Sequence, residues 1–487
     1  MYPSNKSYFL SLFLFISFLL GGCNTATQET DIANKRFESS ETLHDEWMGA
    51  YFKGKKIGYI HGTTERGRLA GQPSIMVKSI AKIEINIENQ KNYTELEQEA
   101  FIDKEGKLLA FNYNQNIMGH QMVVRGERRD GNLFVEIDAG GEKRRKKIPL
   151  SENTYTSGLI KEAILHRGLK VGDEIVLSIF LEPLLTVEPV SVKVLSMDKG
   201  FVGGKETNIF TVEENFKGIT GTLRITEGGL TVEETSPHGF QLLSLGKKEA
   251  MAQGEALSIV DLLLASKIDV NRKIVNPRSL HNLKLKLKNI PSHFPVIDDD
   301  NQKIISSIKG KEASDYIFDI HVRPISDAGV TIPVKHSFTD HYLTSDHVVN
   351  ADNKTIINKA REVVGNEKSA LQAAKKIYVW VNKNIKKRLV DTVSALDTLK
   401  SGEGECQAHA NLYAALARAG GIPTKVISGL VYSEEFGGFM YHAWNEVYIG
   451  QWVPLDPTLG GFPADATHLK LSEGGLADQL KIMALVG

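Results

Sequence analysis

The chain of 487 residues has two cysteines, a formal net charge of −1 and no long hydrophobic run after its first twenty residues. Each shortage excludes something. Two cysteines cannot build a disulfide framework, so stability must come from buried cores. With 58 Lys and Arg against 59 Asp and Glu there is no basic excess to neutralise phosphates, and nucleic acid is not an expected partner. The absence of further apolar stretches rules out a polytopic membrane protein. There is no HExxH, paired-cysteine spacing, P-loop, GxGxxG or GxSxG, so metal, nucleotide and serine-hydrolase chemistry have no motif to rest on, and neither cofactor nor metal is expected. What is present is the balance of an ordinary globular protein, 41% hydrophobic and 24% charged, long enough for about three structural units.

The first cysteine lies in a targeting segment. Lys6 precedes the run Tyr8 to Leu20, 13 residues that are too short to span a bilayer and suit a signal-peptide core. The run ends in Leu20-Gly21-Gly22-Cys23, which resembles the lipobox of bacterial lipoproteins. That resemblance implies a lipoprotein signal peptide over 1–22 and a diacylated Cys23 as the mature N-terminus. It also implies a lipid-anchored place in the cell envelope, on the outer membrane facing the periplasm in a two-membrane bacterium. Residues 23–44, rich in Thr, Gln, Glu, Ser and Asn, read as a flexible tether. Cys406 then becomes the only free thiol of the mature chain, and an unpaired thiol outside the cytoplasm invites a functional explanation.

From Trp47 the pattern turns to strands. Runs such as Ile83, Ile85, Ile87 alternate with period two, and turn chemistry at Lys53-Gly54, Asp103 to Gly106, Asp130-Gly131 and Gly140-Gly141 separates them. Residues 45–250 read as one large antiparallel β-rich domain, interrupted by a helix from Gly158 to His166 and including a strand from Leu223 to Glu233. The basic run Lys143 to Lys147 reads as a charged edge strand, where charge blocks further pairing. Residues 251–350 look like a second β-rich unit, clearest at Leu283 to Leu287 and Tyr316 to Val322. A helical pattern opens 351–487. Lys354 to Val364 stops at Gly365, and Leu371, Ala374, Ile377, Val381 and Ile385 stripe the next helix. The expected fold class is α+β, a large antiparallel β-rich N-terminal region followed by a C-terminal α+β domain.

Chemistry collects around the second cysteine. A glycine-bearing turn leads into Cys406, and a helix follows with Leu412, Ala415, Leu416 and Ala419 as its expected buried stripe, stopped by Gly420-Gly421 and Pro423. Cys406 at a helix N-terminus is expected to meet unpaired N–H groups that stabilise a thiolate and lower its pKa. Farther on, His442 and Asp456 fall on neighbouring strand-like segments joined by the turn Gly450-Gln451, so antiparallel pairing can bring them within hydrogen-bond reach. A nucleophile, a general base and a carboxylate that orients the base are the three parts of a catalytic triad.

Gly404-Glu-Cys406, the Ala-rich helix after it, Ala419-Gly-Gly-Ile-Pro423, Tyr441-His-Ala-Trp-Asn-Glu-Val-Tyr448 and Trp452-Val-Pro-Leu-Asp-Pro-Thr458 closely resemble the bacterial transglutaminase-like superfamily over about residues 350 to 475. The resemblance implies a papain-like fold with Cys406 as nucleophile, His442 as base and Asp456 as orienting carboxylate. It implies a cysteine peptidase or amidohydrolase working through an acyl-thioenzyme on protein or peptide substrates of the envelope. The alternatives are an acyltransferase that cross-links envelope components and a non-catalytic binding lipoprotein. The sequence departs from transglutaminases proper in placing Gln407, not Trp, after the cysteine. Trp380 and His409 read as helix-packing residues.

Overall fold

The computed structural model of the protein describes residues 36–474 except 88–89, 118–119, 140–141, 152, 169, 183, 237–238, 259–265, 293 and 389–393, together with Ile482 and Leu485. The signal peptide, Cys23, most of the tether and the Gly140-Gly141 turn therefore lie outside the described residues. The chain divides into two compact units, the first ending at Leu262 and the second running from Leu263 to Val486.

The first unit is built by period-two alternation over long strands. From Phe37–Phe52 to Glu142–Pro149 eight strands form a meander, each paired antiparallel with the next. At Lys53-Gly54, Ala70-Gly71 and Asp130-Gly131 both central residues have positive φ, the backbone that a two-residue hairpin needs to follow the strand twist. Phe240–Leu245 pairs with the other side of Phe37–Phe52. The sheet then runs back through Thr231–Thr235, Ile219–Thr226, Lys205–Phe216 and Thr186–Val202 to Glu174–Leu181 and Thr154–Thr156. The last pair is parallel because the helix Ile160–Arg167 lies between its strands as a crossover. Alternating residues such as Val124, Leu133, Val190, Val212 and Ile225 are fully buried.

Two details differ from the sequence reading and a third agrees with it. Residues 37–44 belong to the first strand, not to a tether, and pair with Thr64 to Leu69. Apart from Phe37 and Leu43 their side chains are polar and gave no apolar period, yet a strand is held by backbone bonds that any side chain permits. The expected strand from Leu223 to Glu233 divides in two at a turn containing Gly228 and Gly229, where the N–H of Gly229 returns to the carbonyl of Thr226. The basic run lies, as expected, on the strand that ends the sheet, where Arg145 donates to Glu136 at 2.9 Å.

Residues 251–350 do not form a unit of their own. Asn282–Pro291, Ala313–His321 and Gln302–Lys309 make a three-stranded sheet with the second of these in the centre. Ile290, Phe318 and Ile320 from that sheet share one core with Leu430, Tyr432, Phe439 and Leu469. Three strands with a single apolar face need a partner to cover it, and here the partner is the C-terminal sheet.

The rest of the second unit comprises α1 (Lys354–Val364), α2 (Ala370–Asn384), α3 (Ala395–Ser401), α4 (Cys406–Ala419), β1 (Thr424–Ser433), β2 (Gly438–Tyr448), β3 (Trp452–Leu455) and β4 (Leu469–Glu473). Asn353 and Ser369 cap α1 and α2, and Ser394 with Asp397 forms a reciprocal capping box on α3. β1 lies between β2 and β4, and β3 adds to β2. The expected stripe on α4 is too narrow: every residue from Ala408 to Ala417 is buried. Helices α1, α2 and α3 pack on this helix as well as the sheet, and its run of alanines lets them approach closely.

Gly429 fixes how closely β1 can approach its neighbours, since it stands opposite His442 on β2 and Lys470 on β4. A Cβ there would lie 2.1 Å from the Leu469 carbonyl oxygen and 2.7 Å from the Trp444 ring. Replacing Gly429 by Ala is expected to destabilise the second unit by about 1 to 3 kcal/mol in urea unfolding followed by tryptophan fluorescence. Replacing Gly246, where a Cβ would meet nothing within 4 Å, is expected to leave the midpoint unchanged.

Candidate active site

The three residues singled out in the sequence come from three adjoining elements. Cys406 is the first residue of α4, His442 is in the middle of β2, and Asp456 follows directly on β3. Buried side-chain bonds tie these elements together. The Asn445 amide on β2 donates to the Ala410 carbonyl on α4 at 3.0 Å and to the Lys425 carbonyl on β1 at 3.1 Å. On α2, Asn382 donates to the Pro457 carbonyl at 2.9 Å, and the Tyr378 hydroxyl accepts from the Gly461 N–H at 2.7 Å. Both bonds fasten the loop that carries Asp456.

His442 and Asp456 meet. The Nε2–H of His442 donates to Asp456 Oδ2 at 2.8 Å, the carboxylate being fully buried. Oδ1 of the same carboxylate accepts the backbone N–H groups of Thr458 and Leu459 at 2.7 and 2.9 Å. Burial would push the Asp456 carboxyl up, but the positive charge and hydrogen bond of His442, with a further bond from His468, outweigh it and hold the group well below the usual carboxylate range. With Nε2 committed to Asp456, Nδ1 of His442 is the nitrogen left to exchange a proton.

Cys406 is close to the same strand. Its sulfur is near enough to the backbone N–H of Ala443, the residue after His442, for a hydrogen bond, and it feels the charge of Asp456. The environment of the thiol nevertheless overturns the expectation of a lowered pKa. Glu405 caps α4 with its own side chain, accepting the N–H groups of Gln407 and Ala408 at 2.8 Å each. The donors expected to stabilise a thiolate are thus taken by a carboxylate, which also accepts the Cys406 thiol proton at 3.1 Å. Burial first, then the charge and hydrogen bond of Glu405, push the thiol well above its ordinary value. The resting cysteine is a neutral thiol that donates to Glu405.

Two further residues belong to the site, and only the first lies within a family motif. One is Glu405, whose place beside the nucleophile was readable but whose capping role depends on helix geometry. The other is His468, fully buried, whose Nε2–H donates to Asp456 Oδ2 at 3.1 Å. Its Nδ1 faces the Asp465 carbonyl at 3.1 Å and the Asp465 carboxylate at 3.4 Å. Burial lowers the His468 pKa, but the bonds and charges of Asp456 and Asp465 overcome it and hold the ring up at about 9, so it is an imidazolium at neutral pH. Trp444, also buried, packs beside both imidazoles, near-parallel to His442 at 6.3 Å and edge-on to His468 at 5.2 Å.

His409 and Trp380 pack, as the sequence suggested. Both ring nitrogens of His409 face backbone carbonyls, those of Glu405 and Ile385 at 2.8 and 3.3 Å. Trp380 lies against the helical core with the Lys359 ammonium 5.3 Å from its ring centre. Among the described residues two clusters bring together groups of the kind that bind metals. In the first, His442, Asp456 and His468, the shared Asp456 oxygen already accepts an N–H from each ring. In the second, Asp299, Glu446 and Glu473, the Lys470 ammonium sits among the carboxylates, 2.7 Å from Glu446 and 2.8 Å from Glu473.

Because the charge of Glu405 favours the protonated thiol, Glu405→Gln is expected to lower the Cys406 pKa. Iodoacetamide labelling at neutral pH, read by intact mass, then speeds up by about tenfold.

Comparison with known proteins adds a family to this geometry. No curated protein matches the chain. Among solved structures it is similar to a candidate cysteine protease from Cytophaga hutchinsonii, 19% identical over 41% of this chain and 81% of that one, at a TM-score of 0.32. It is also similar to a β-barrel-like protein of a domain of unknown function from Brucella abortus, 12% identical over 41% and 94%, TM-score 0.31. A candidate protease from Parabacteroides distasonis is 9% identical over 77% and 68%, TM-score 0.20. Residues 357–457, which hold Cys406, His442 and Asp456, match the transglutaminase-like superfamily, and this part of the chain is a transglutaminase-like domain.

Proposed function

We propose that the protein is a cysteine peptidase or amidohydrolase of the cell envelope, acting through an acyl-thioenzyme. The observation that carries this reading is the pairing of His442 Nε2 with the buried Asp456 at 2.8 Å, on the strand whose next residue, Ala443, offers its N–H to the sulfur of Cys406. In the reaction His442 Nδ1 takes the thiol proton, and the Cys406 sulfur attacks the amide carbonyl. The imidazolium returns that proton to the leaving amine as the C–N bond breaks. Water, deprotonated by the same nitrogen, then cleaves the thioester to an acid and the free thiol. Because the resting thiol is neutral and bonded to Glu405, the proton moves as substrate arrives, not before.

Gln407 after the nucleophile, where transglutaminases proper carry Trp, favours water over an amine as the acyl acceptor. The test is cleavage of a panel of envelope peptides with a fluorescent primary amine present. Hydrolysis without amine incorporation is expected; covalent incorporation of the amine would establish the transferase instead. Cys406→Ala should abolish turnover, and His442→Ala should lower kcat/KM by about a thousandfold or more. Full activity in Cys406→Ala would reduce the site to a packing relic.

The envelope location rests on Leu20-Gly21-Gly22-Cys23 behind its short apolar run, with the lipid on Cys23 holding the body at a membrane. Labelled palmitate should enter the wild-type protein and not Cys23→Ser, and the variant should leave the membrane fraction. Equal labelling of both would refute the anchor.

A further inference from the structure

We infer that His468 is a positioning residue that shares the Asp456 carboxylate with His442, fixing where that carboxylate stands and limiting how strongly it raises the basicity of His442. This rests on the catalytic reading of His442 given above and goes beyond it, because His468 belongs to none of the motifs that led to the site.

Asp456 is held from three directions. Oδ1 is engaged by two backbone N–H groups, and Oδ2 receives two imidazoles, His442 at 2.8 Å and His468 at 3.1 Å. His468 is itself immobilised. Asp465 takes its other nitrogen, and Asp465 in turn accepts Arg278 at 2.8 Å and the backbone N–H of Thr467 at 2.8 Å. Arg278 also donates to the Tyr432 carbonyl on β1, so the series is tied to the sheet at its far end. Cation and anion alternate from Arg278 through Asp465 and His468 to Asp456, and His442 meets the far end of the series. A ring locked by a carboxylate on either side does not rotate to suit its neighbours, and Asp456 is therefore placed by His468 as much as by its own loop.

The electrostatic consequence follows from distance. The centres of the two imidazoles are 6.0 Å apart with Asp456 between them. A cation at His468 cancels part of the field that the carboxylate exerts on His442, so His442 gives up its proton more readily than a ring paired with an unshared carboxylate. The other charged or titratable groups around the pair are Cys406 and Glu405 from α4, Asp465 from the loop before β4, Arg278, and Glu446, Lys470 and His321, which line a small cavity beside His468. Lys470 is engaged by Glu446, Glu473 and Asp299, which leaves His468 as the cation in contact with Asp456 on the side away from His442.

The experiment is a histidine titration by NMR on the full mature chain in detergent with 13C-labelled histidine, the His442 signal being identified by its loss in His442→Ala. His468→Gln keeps a donor toward Asp456 and removes the charge. It is expected to raise the His442 midpoint. The acid limb of Cys406 alkylation by iodoacetamide should move up with it. Asp465→Asn, which weakens the hold on the His468 proton, should shift the midpoint the same way by less, and it serves if His468→Gln does not fold. A His442 midpoint that stays in place or falls in the folded variants overturns the inference, whatever happens to the melting temperature. A midpoint that rises in a protein that cleaves no amide leaves the inference standing and removes the functional reading instead.

Discussion

The buried carboxylate of Asp456 is the constraint on which the second unit's chemistry depends. A lone charge in that position would be intolerable, and the fold spends four donors on it: two backbone N–H groups and two imidazoles. Each donor belongs to a different demand. The backbone groups require the tight loop after Asp456, the loop requires Asn382 and Tyr378 of α2 to hold it, and the imidazoles require β2 and the start of β4 to flank it. Satisfying one carboxylate thus fixes the relative positions of a helix, a loop and two strands, which is the precision a proton-transferring site needs.

A second electrostatic arrangement opposes the first. Asp456 holds His442 by Nε2, while Glu405 favours the protonated form of Cys406 by occupying the very amides that would stabilise a thiolate. Burial acts in the same sense. The outcome is a thiol held in its neutral form, and in the proposed envelope location this slows its oxidation, since the thiolate is the species that oxidises. The same carboxylate caps the helix, so protection of the thiol and termination of α4 are one interaction.

The large sheet of the first unit obeys simpler rules. Its strands pair mostly with sequence neighbours, its described two-residue hairpins turn on glycine-bearing pairs, and the parallel pair of Glu174–Leu181 with Thr154–Thr156 has a helix in the crossover. The chain enters by the middle of this sheet, because Phe37–Phe52 lies between the second strand and Phe240–Leu245.

Much of this was legible without coordinates. Period-two alternation and turn residues are local properties, so the antiparallel meander, the helix after Thr156 and the charged edge strand could be read directly, as could Cys406, His442 and Asp456 from motifs in the right order. Reading failed where local chemistry is silent. The largely polar residues 37–44 join a strand through their backbone, the turn at Gly228-Gly229 hides inside a strand-like stretch, and the 282–321 strands share a core with residues more than a hundred positions away. Sequence by itself determined the elements and the reactive groups, since both follow from nearest neighbours and residue type. Only the tertiary structure decided the charge state of those groups, because burial, the helix-capping geometry of Glu405 and the His468 imidazolium depend on how the chain folds in space and not on residue type.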